Sequence, residues 1–345
     1  MKIGIVSSTV PHINGGYRMF VDQLAPALER AGHKVEKIWL PFSGDPNTMF
    51  AEMVGFRMMD LEHVCDMVIC CRPPAHVIRH PRKIIWFIHH ERIFYDLWDS
   101  EYNHIPRTPY WHSFRKNLMQ ADRNSLLEAH AVFSNSKVVA DRLLKFNDVT
   151  AEILYPPLAD AQNFSSDIYG PELVFVCRIE HHKRQHLALE AMSMTHTPVR
   201  LRIAGMSQDA GYLASLNALV IKHGLQDRVT IDSRWISEGE KRHLLSQALG
   251  AVYVPLDEDS YGYPTLEAAH ASRPVISVID AGGVGEFVES GRSGLLTETE
   301  PAALADAFDR LWSDRALAKA LGEGARQRID TLRINWDHVV ERLTA

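Results

Sequence analysis

Short apolar runs separated by amphipathic helical stretches recur along nearly the whole chain, and no other feature narrows its fold so far. Such alternation reads as βαβ units, and parallel sheets are what those units build. In the first half the runs fall at residues 3–6, 35–39, 67–71, 84–88 and 132–134. A helix is expected over about residues 16–31, with Phe20, Leu24, Leu28 and Ala31 as its buried stripe. Gly32 would end it and Pro26 would bend it. Tyr155-Pro156-Pro157 then opens a polar stretch reaching Gly170-Pro171, the best linker in the chain. Beyond it the pattern restarts, with runs at 173–177, 200–204, 229–232, 251–254 and 275–278. The expected architecture is α/β, with two doubly wound, Rossmann-like domains at residues 1–160 and 161–332. Trp336, Val339, Val340 and Leu343 share one face of a tail helix, so residues 333–345 are expected to pack back on the first domain. Ligands of such sheets sit at the carboxyl ends of the strands, which puts the expected site in a cleft between the two domains.

The bulk numbers exclude several classes of function. Hydrophobic residues make up 46% and charged residues 23%, ordinary for a soluble enzyme. Residues 1–160 carry 18 basic and 18 acidic side chains, so the whole net charge of −6 lies beyond them. Nothing there suggests a nucleic-acid partner. The four cysteines include the adjacent Cys70 and Cys71 and no C-x-x-C pair, which fits a reduced, cytoplasmic setting. The first apolar run is too short for a signal peptide, and no run is long enough to cross a bilayer. The basic segment Arg72, Arg79, Arg82, Lys83 and Arg92 reads as a solvated face, or as a surface for an anionic acceptor or the inner membrane surface.

The stretch from Asp257 to Ala269 carries the most chemistry. An apolar run enters it, an acidic loop with Gly262 follows, and Pro264 suits a first helical position. Free backbone N–H groups and the positive helix end there would face an anion. Asp259 and Glu267 flank that helix start, Glu267 being expected in the first turn. Carboxylates beside a phosphate site are suited to gripping hydroxyls, which points to a nucleotide carrying a sugar.

Other groups follow further expected strands. Gly15-Gly16 opens the first helix without the dinucleotide glycine pattern. Arg178 and Lys183 would give a fork and a point charge suited to a diphosphate. His89-His90-Glu91 follows the run at 84–88, and either histidine is a candidate for a ligand contact or a structural hydrogen bond. Gly282-Gly283 with Glu286 makes another glycine-rich turn. Each alone has an ordinary structural explanation. Asp257-x-Asp259 also matches a short pattern of metal-dependent sugar transferases, and His181, His182 and His186 imitate a metal cluster. The three-residue match is common by chance and sits in a different context here, and no further ligand lies near the histidines, so no metal is expected.

In this order the set resembles the family 4 glycosyltransferases (glycosyl transferases group 1) of the GT-B fold. The likeness is strongest over residues 170–297, through Arg178 with Lys183, Leu201-Arg202-Ile203-Ala204-Gly205, Asp259 to Glu267, Gly282-Gly283 and Ser290-Gly291. Gly15-Gly16, Ser134-Asn135-Ser136 and Tyr155-Pro156-Pro157 extend it over the first half. The resemblance implies a retaining transfer of a hexose from a nucleoside diphosphate sugar, UDP- or GDP-linked, with no obligatory cofactor. The acceptor would be a saccharide or lipid-linked saccharide. Cell-surface polysaccharide or glycan synthesis would be the setting. Arg178 and Lys183 would hold the diphosphate, helped by backbone near Gly16 and by Gly262, Tyr263, Pro264 and Thr265. Glu267 would hold the ribose, Asp259 the donor sugar, and His89 or His90 would lie near the reacting carbon. Gly15 and Glu286 complete the implied donor site. The aromatic segment 98–114 would shape the acceptor side. Two departures stand out: the first motif acid is the shorter Asp259, and Ser260-Tyr261 precedes Gly262. A nucleotide-sugar 2-epimerase and a non-catalytic nucleotide-sugar-binding protein are the alternatives.

Overall fold

The computed structural model describes residues 1–10, 16–100 and 103–345, so Gly15 lies outside it. It divides into two compact units, Met1–Pro156 with Asn335–Ala345, and Pro157–Ile334.

The first unit runs β1 (Lys2–Thr9), α1 (Gly16–Arg30), β2 (Lys34–Pro41), α2 (Met49–Arg57), β3 (Met67–Cys70), β4 (Lys83–Phe87), α3 (Pro109–Leu127), β5 (Ala131–Ser134), α4 (Lys137–Asn147) and β6 (Glu152–Ile153). Its six strands pair in the order β2-β1-β3-β4-β5-β6, all parallel. Helices on both faces explain why β3 and residues 84–87 of β4 are continuous apolar runs rather than alternating ones. Successive residues of β4 feed opposite cores. Ile84 and Trp86 join the layer with α1, whereas Ile85 and Phe87 join the layer with α2 and α3.

Lys83 begins β4 inside the protein. Its Nζ donates to the carbonyls of His76 and Ile78 at 3.0 Å and of Ser125 at 2.8 Å. Burial holds its ammonium below the ordinary lysine range. Arg92 is also engaged, with Asp96 at 2.6 and 2.8 Å. Of the five residues of the expected basic face, Lys83 is thus interior and Arg92 paired, whereas Arg79 is exposed and Arg72 and Arg82 are half-buried.

The second unit continues with β7 (Glu172–Val176), α5 (Gln185–Met194), β8 (Arg200–Ala204), α6 (Ala210–Lys222), β9 (Val229–Asp232), α7 (Glu238–Gln247), β10 (Gly250–Val252), α8 (Tyr263–His270), β11 (Val275–Val278), α9 (Val284–Phe287), β12 (Gly294–Thr297), α10 (Pro301–Ser313) and α11 (Arg315–Thr331). Its strands are ordered β12-β11-β10-β7-β8-β9, again all parallel.

The last helix, α12 (Trp336–Thr344), belongs to the first unit and packs on α1. Val339, Val340 and Leu343 are buried, Trp336 meets Trp86 edge-on at 6.5 Å, and Arg342 pairs with Glu152 at 2.7 Å. In α1, Phe20, Leu24 and Leu28 are buried, but Ala31 lies past the helix end and is exposed. Gly32 follows with φ +85°, the left-handed conformation that stops a helix. The short strands β6 and β12 were not anticipated from the apolar pattern. No helix among the described residues is long and apolar enough to cross a membrane.

Candidate functional site

In the second sheet β7 pairs with β8 on one side and β10 on the other. The direction of winding reverses between β7 and β10, and a crevice forms at the carboxyl ends of such a pair. The loops leaving these two strands carry Arg178 with Lys183, and Asp259 through Glu267.

The β7 loop is fixed from beneath. Gln185 donates to Arg178 O at 2.9 Å, and Gly205 lies so close that a Cβ there would stand 1.9 Å from Cys177 O. Arg178 remains exposed, with Nη1 2.6 Å from Glu180. Lys183 is buried, and its Nζ donates to Tyr253 Oη at 3.1 Å and to the Glu258 carboxylate. Tyr253 in turn donates to Glu258 Oε2 at 2.9 Å. Burial alone would push the Glu258 carboxyl up. The Lys183 charge and the two hydrogen bonds outweigh it and hold the group below its ordinary range.

Arg184 ties the loops together. It pairs with Asp280 at 2.7 and 2.8 Å and donates to Val254 O at 2.8 Å and Pro255 O at 2.6 Å. Leu256 N also donates to His182 O at 2.8 Å. The glycine turn supports the acidic loop from the other side. A Cβ on Gly282 would meet Glu258 O at 2.4 Å, and one on Gly283 would meet Ser260 C at 2.5 Å. Glu286 is half-buried in the short helix α9.

Gly262, with φ +72°, caps the N-terminus of α8, and Pro264 is the helix's second residue. Glu267 therefore sits in the second turn, not the first as the sequence suggested. Its side chain is buried and accepts from Lys241 Nζ, on α7, at 2.6 Å. Lys241 also pairs with Glu238 at 2.9 Å. Burial raises the Glu267 carboxyl, and the Lys241 charge offsets part of that rise. Asp259 and Tyr263 are half-buried, while Thr265 is buried and its Oγ1 has no hydrogen-bond partner among the described residues.

Two participants were not singled out from sequence. Glu258 lies inside the stretch that drew attention, but its neighbour Asp259 matched the family spacing instead. Lys241 had no local signal, because its partner is 26 residues away on another helix.

In the first unit the two histidines after β4 part ways. His90 is 2% exposed, with Nε2 2.8 Å from Asn147 Oδ1 and its ring 4.1 Å from that of Tyr95. Burial lowers its pKa to about 4, so it is neutral. His89 is half-buried, its Nδ1 2.8 Å from the His90 carbonyl. Gly16 opens α1.

Comparison with known proteins follows the same lines. A family model described as glycosyl transferases group 1 matches residues 161–328. The human protein alpha-1,3/1,6-mannosyltransferase ALG2 is 25% identical over 294 residues, covering 77% of this chain and 68% of that protein. A D-inositol 3-phosphate glycosyltransferase of Corynebacterium urealyticum is 30% identical over 179 residues, covering 49% of this chain and 41% of that protein. The solved sucrose-phosphate synthase of Thermosynechococcus elongatus superposes with a TM-score of 0.76 at 18% identity, over 99% of this chain and 97% of that one. Anabaena HepE, solved with UDP and glucose, gives 0.75 at 15% identity, over 99% and 98%. These structural likenesses show the fold, GT-B.

Proposed function

Residues 161–328 belong to the glycosyl transferases group 1 family and the chain is a glycosyltransferase; on that premise we propose that it moves a hexose from a UDP- or GDP-sugar to a saccharide hydroxyl, with retention at the anomeric carbon. The observation that carries this reading is Lys183. It is a buried ammonium beside the crevice between β7 and β10, and its partner there is a carboxylate. The same cation, with exposed Arg178 and the backbone N–H groups at the start of α8, suits a diphosphate.

In this reading Glu267 holds the ribose hydroxyls and Asp259 those of the donor sugar. The bond from the anomeric carbon to the diphosphate breaks, and a bond to the acceptor oxygen forms. The acceptor's proton passes to the leaving phosphate oxygen. Lys183 and Arg178 stabilise the charge that grows on that group. His89, rather than the enclosed His90, is assigned to the reacting sugar. The first unit is the acceptor side. HepE was solved with UDP and glucose, and ALG2 carries the name of a mannosyltransferase, which supports a hexose donor without choosing the nucleotide.

The test is a thermal-shift panel of UDP, GDP, ADP and their hexose conjugates, followed by turnover with the donor that binds. Binding raises the melting temperature of the form that binds. The expected result is stabilisation by one nucleoside diphosphate, and release of that diphosphate on adding a saccharide acceptor. Stabilisation by none of them would sink the donor reading. Conversion of the donor to an epimer without an acceptor would sink the transfer.

A further inference from the structure

We infer that the first unit carries a binding subsite for one uncharged sugar ring, in a pocket between the starts of α2 and α3. The pocket has a volume of about 240 Å³. Its aromatic wall is Phe50, Tyr110 and Phe114, and its polar wall is Asn47, Ser113 and Asn117. No lining residue is charged. The helices join parallel strands and run back against them, so their first turns lie at the carboxyl ends of the sheet, where such folds bind ligands. The Phe50 and Phe114 rings, 4.7 Å apart, hold the two helix starts together.

The lining has the two kinds of surface a pyranose needs. Tyr110 is 63% exposed, and an open ring face of this kind suits the apolar C–H face of a sugar. Hydroxyls at the ring edge need amides and hydroxyls. Asn47 Nδ2 is held by Asp45 Oδ1 at 2.9 Å, which orients the amide. Asn117, Ser113 Oγ and Tyr110 Oη are exposed and make no side-chain hydrogen bond among the described residues. The size is below that of pockets for larger ligands, so it suits a single ring rather than a chain. Without a lysine or arginine in the lining, a phosphorylated sugar gains nothing there. This subsite rests on the glycosyltransferase reading for its role, which is to hold a sugar of the acceptor.

Saturation-transfer NMR on the full chain tests it, using methyl glycosides of glucose, mannose and galactose as probes and glucose 1-phosphate as control. Ring C–H signal is expected from at least one neutral glycoside. Tyr110→Ser and Asn117→Ala should each weaken that binding roughly tenfold, because each removes one of the two surfaces. Both positions are exposed, so the melting temperature should be kept. No signal from any glycoside, signal unchanged in both variants, or stronger signal from glucose 1-phosphate would each overturn the subsite. A nucleotide thermal shift on the same samples reads the donor side separately. Its presence without glycoside signal rejects the subsite alone. Its absence rejects the donor reading while the glycoside result stands.

Discussion

Lys183 and Tyr253 donate to the same oxygen of Glu258, the tyrosine at 2.9 Å, so one carboxylate occupies the cation assigned to the donor's diphosphate. A diphosphate reaching Lys183 has to compete with that carboxylate. Replacing Glu258 by glutamine removes the competitor's charge and leaves Lys183 buried with only Tyr253 and an amide. The variant should lose about 1–3 kcal/mol of stability, measured by urea unfolding. It should bind the preferred nucleoside diphosphate roughly threefold to tenfold more tightly by calorimetry. Weaker binding than in the parent would show that Glu258 supports the donor rather than rivals it.

Glu267 and Lys241 make the second prediction. If Glu267 did no more than hold the ribose, Glu267→Ala would abolish turnover and leave the fold intact. The structure changes half of that. The Lys241 ammonium is 13% exposed and lies 2.6 Å from Glu267. Removing Glu267 leaves the largely buried Lys241 with only the exposed Glu238 at 2.9 Å, at a cost of about 1–3 kcal/mol. Glu267→Ala should therefore lose both activity and stability. Adding Lys241→Met should restore most of the melting temperature and none of the turnover. Restored turnover in the double variant would remove Glu267 from the donor site.

How far the sequence reached follows from which interactions are local. The central strands were legible because burial on both faces makes them largely apolar, as in β3 and residues 84–87 of β4. β12 was not, because Gly294 begins it and the run had the look of a turn. The loop acids and cations were legible as strand-end residues. Their partners were not, since Lys183 with Glu258 and Glu267 with Lys241 are long-range pairs that only the sheet order brings together. Lys83 shows the same limit from the other side. Its neighbours in sequence suggest a basic surface, while its contacts are three interior carbonyls and the Glu128 carboxylate at 3.4 Å.

Gly262 offers a test of the loop's geometry. Its φ is +72°, and a Cβ there would stand 2.4 Å from a ring carbon of Tyr253. Gly262→Ala has to meet a left-handed backbone cost of about 1–2 kcal/mol and push Tyr253 aside. Tyr253 links Lys183 to Glu258, so the displacement should reach the proposed diphosphate site. The expectation is a lower melting temperature together with nucleotide affinity reduced by roughly tenfold. A lower melting temperature with unchanged affinity would separate the loop from the donor.

His90 should show itself in the pH dependence of stability and His89 in turnover. Burial holds His90 to a pKa of about 4, against 6.5 for an ordinary histidine, and burial with the Arg326 charge does the same for His270. Between those values the unfolded chain takes up protons that the folded protein refuses. Stability from these groups is thus complete above pH 6.5 and falls as the pH drops toward 4. His90 alone should account for about 3 kcal/mol of that loss. Urea unfolding across this range should show a flatter profile in His90→Gln, whose amide retains a donor for Asn147. His89→Ala should leave the melting temperature close to the parent's and lower kcat by roughly tenfold or more. If His89→Ala turned over normally while His90→Gln lost kcat at full stability, the assignment of the two histidines would have to be exchanged.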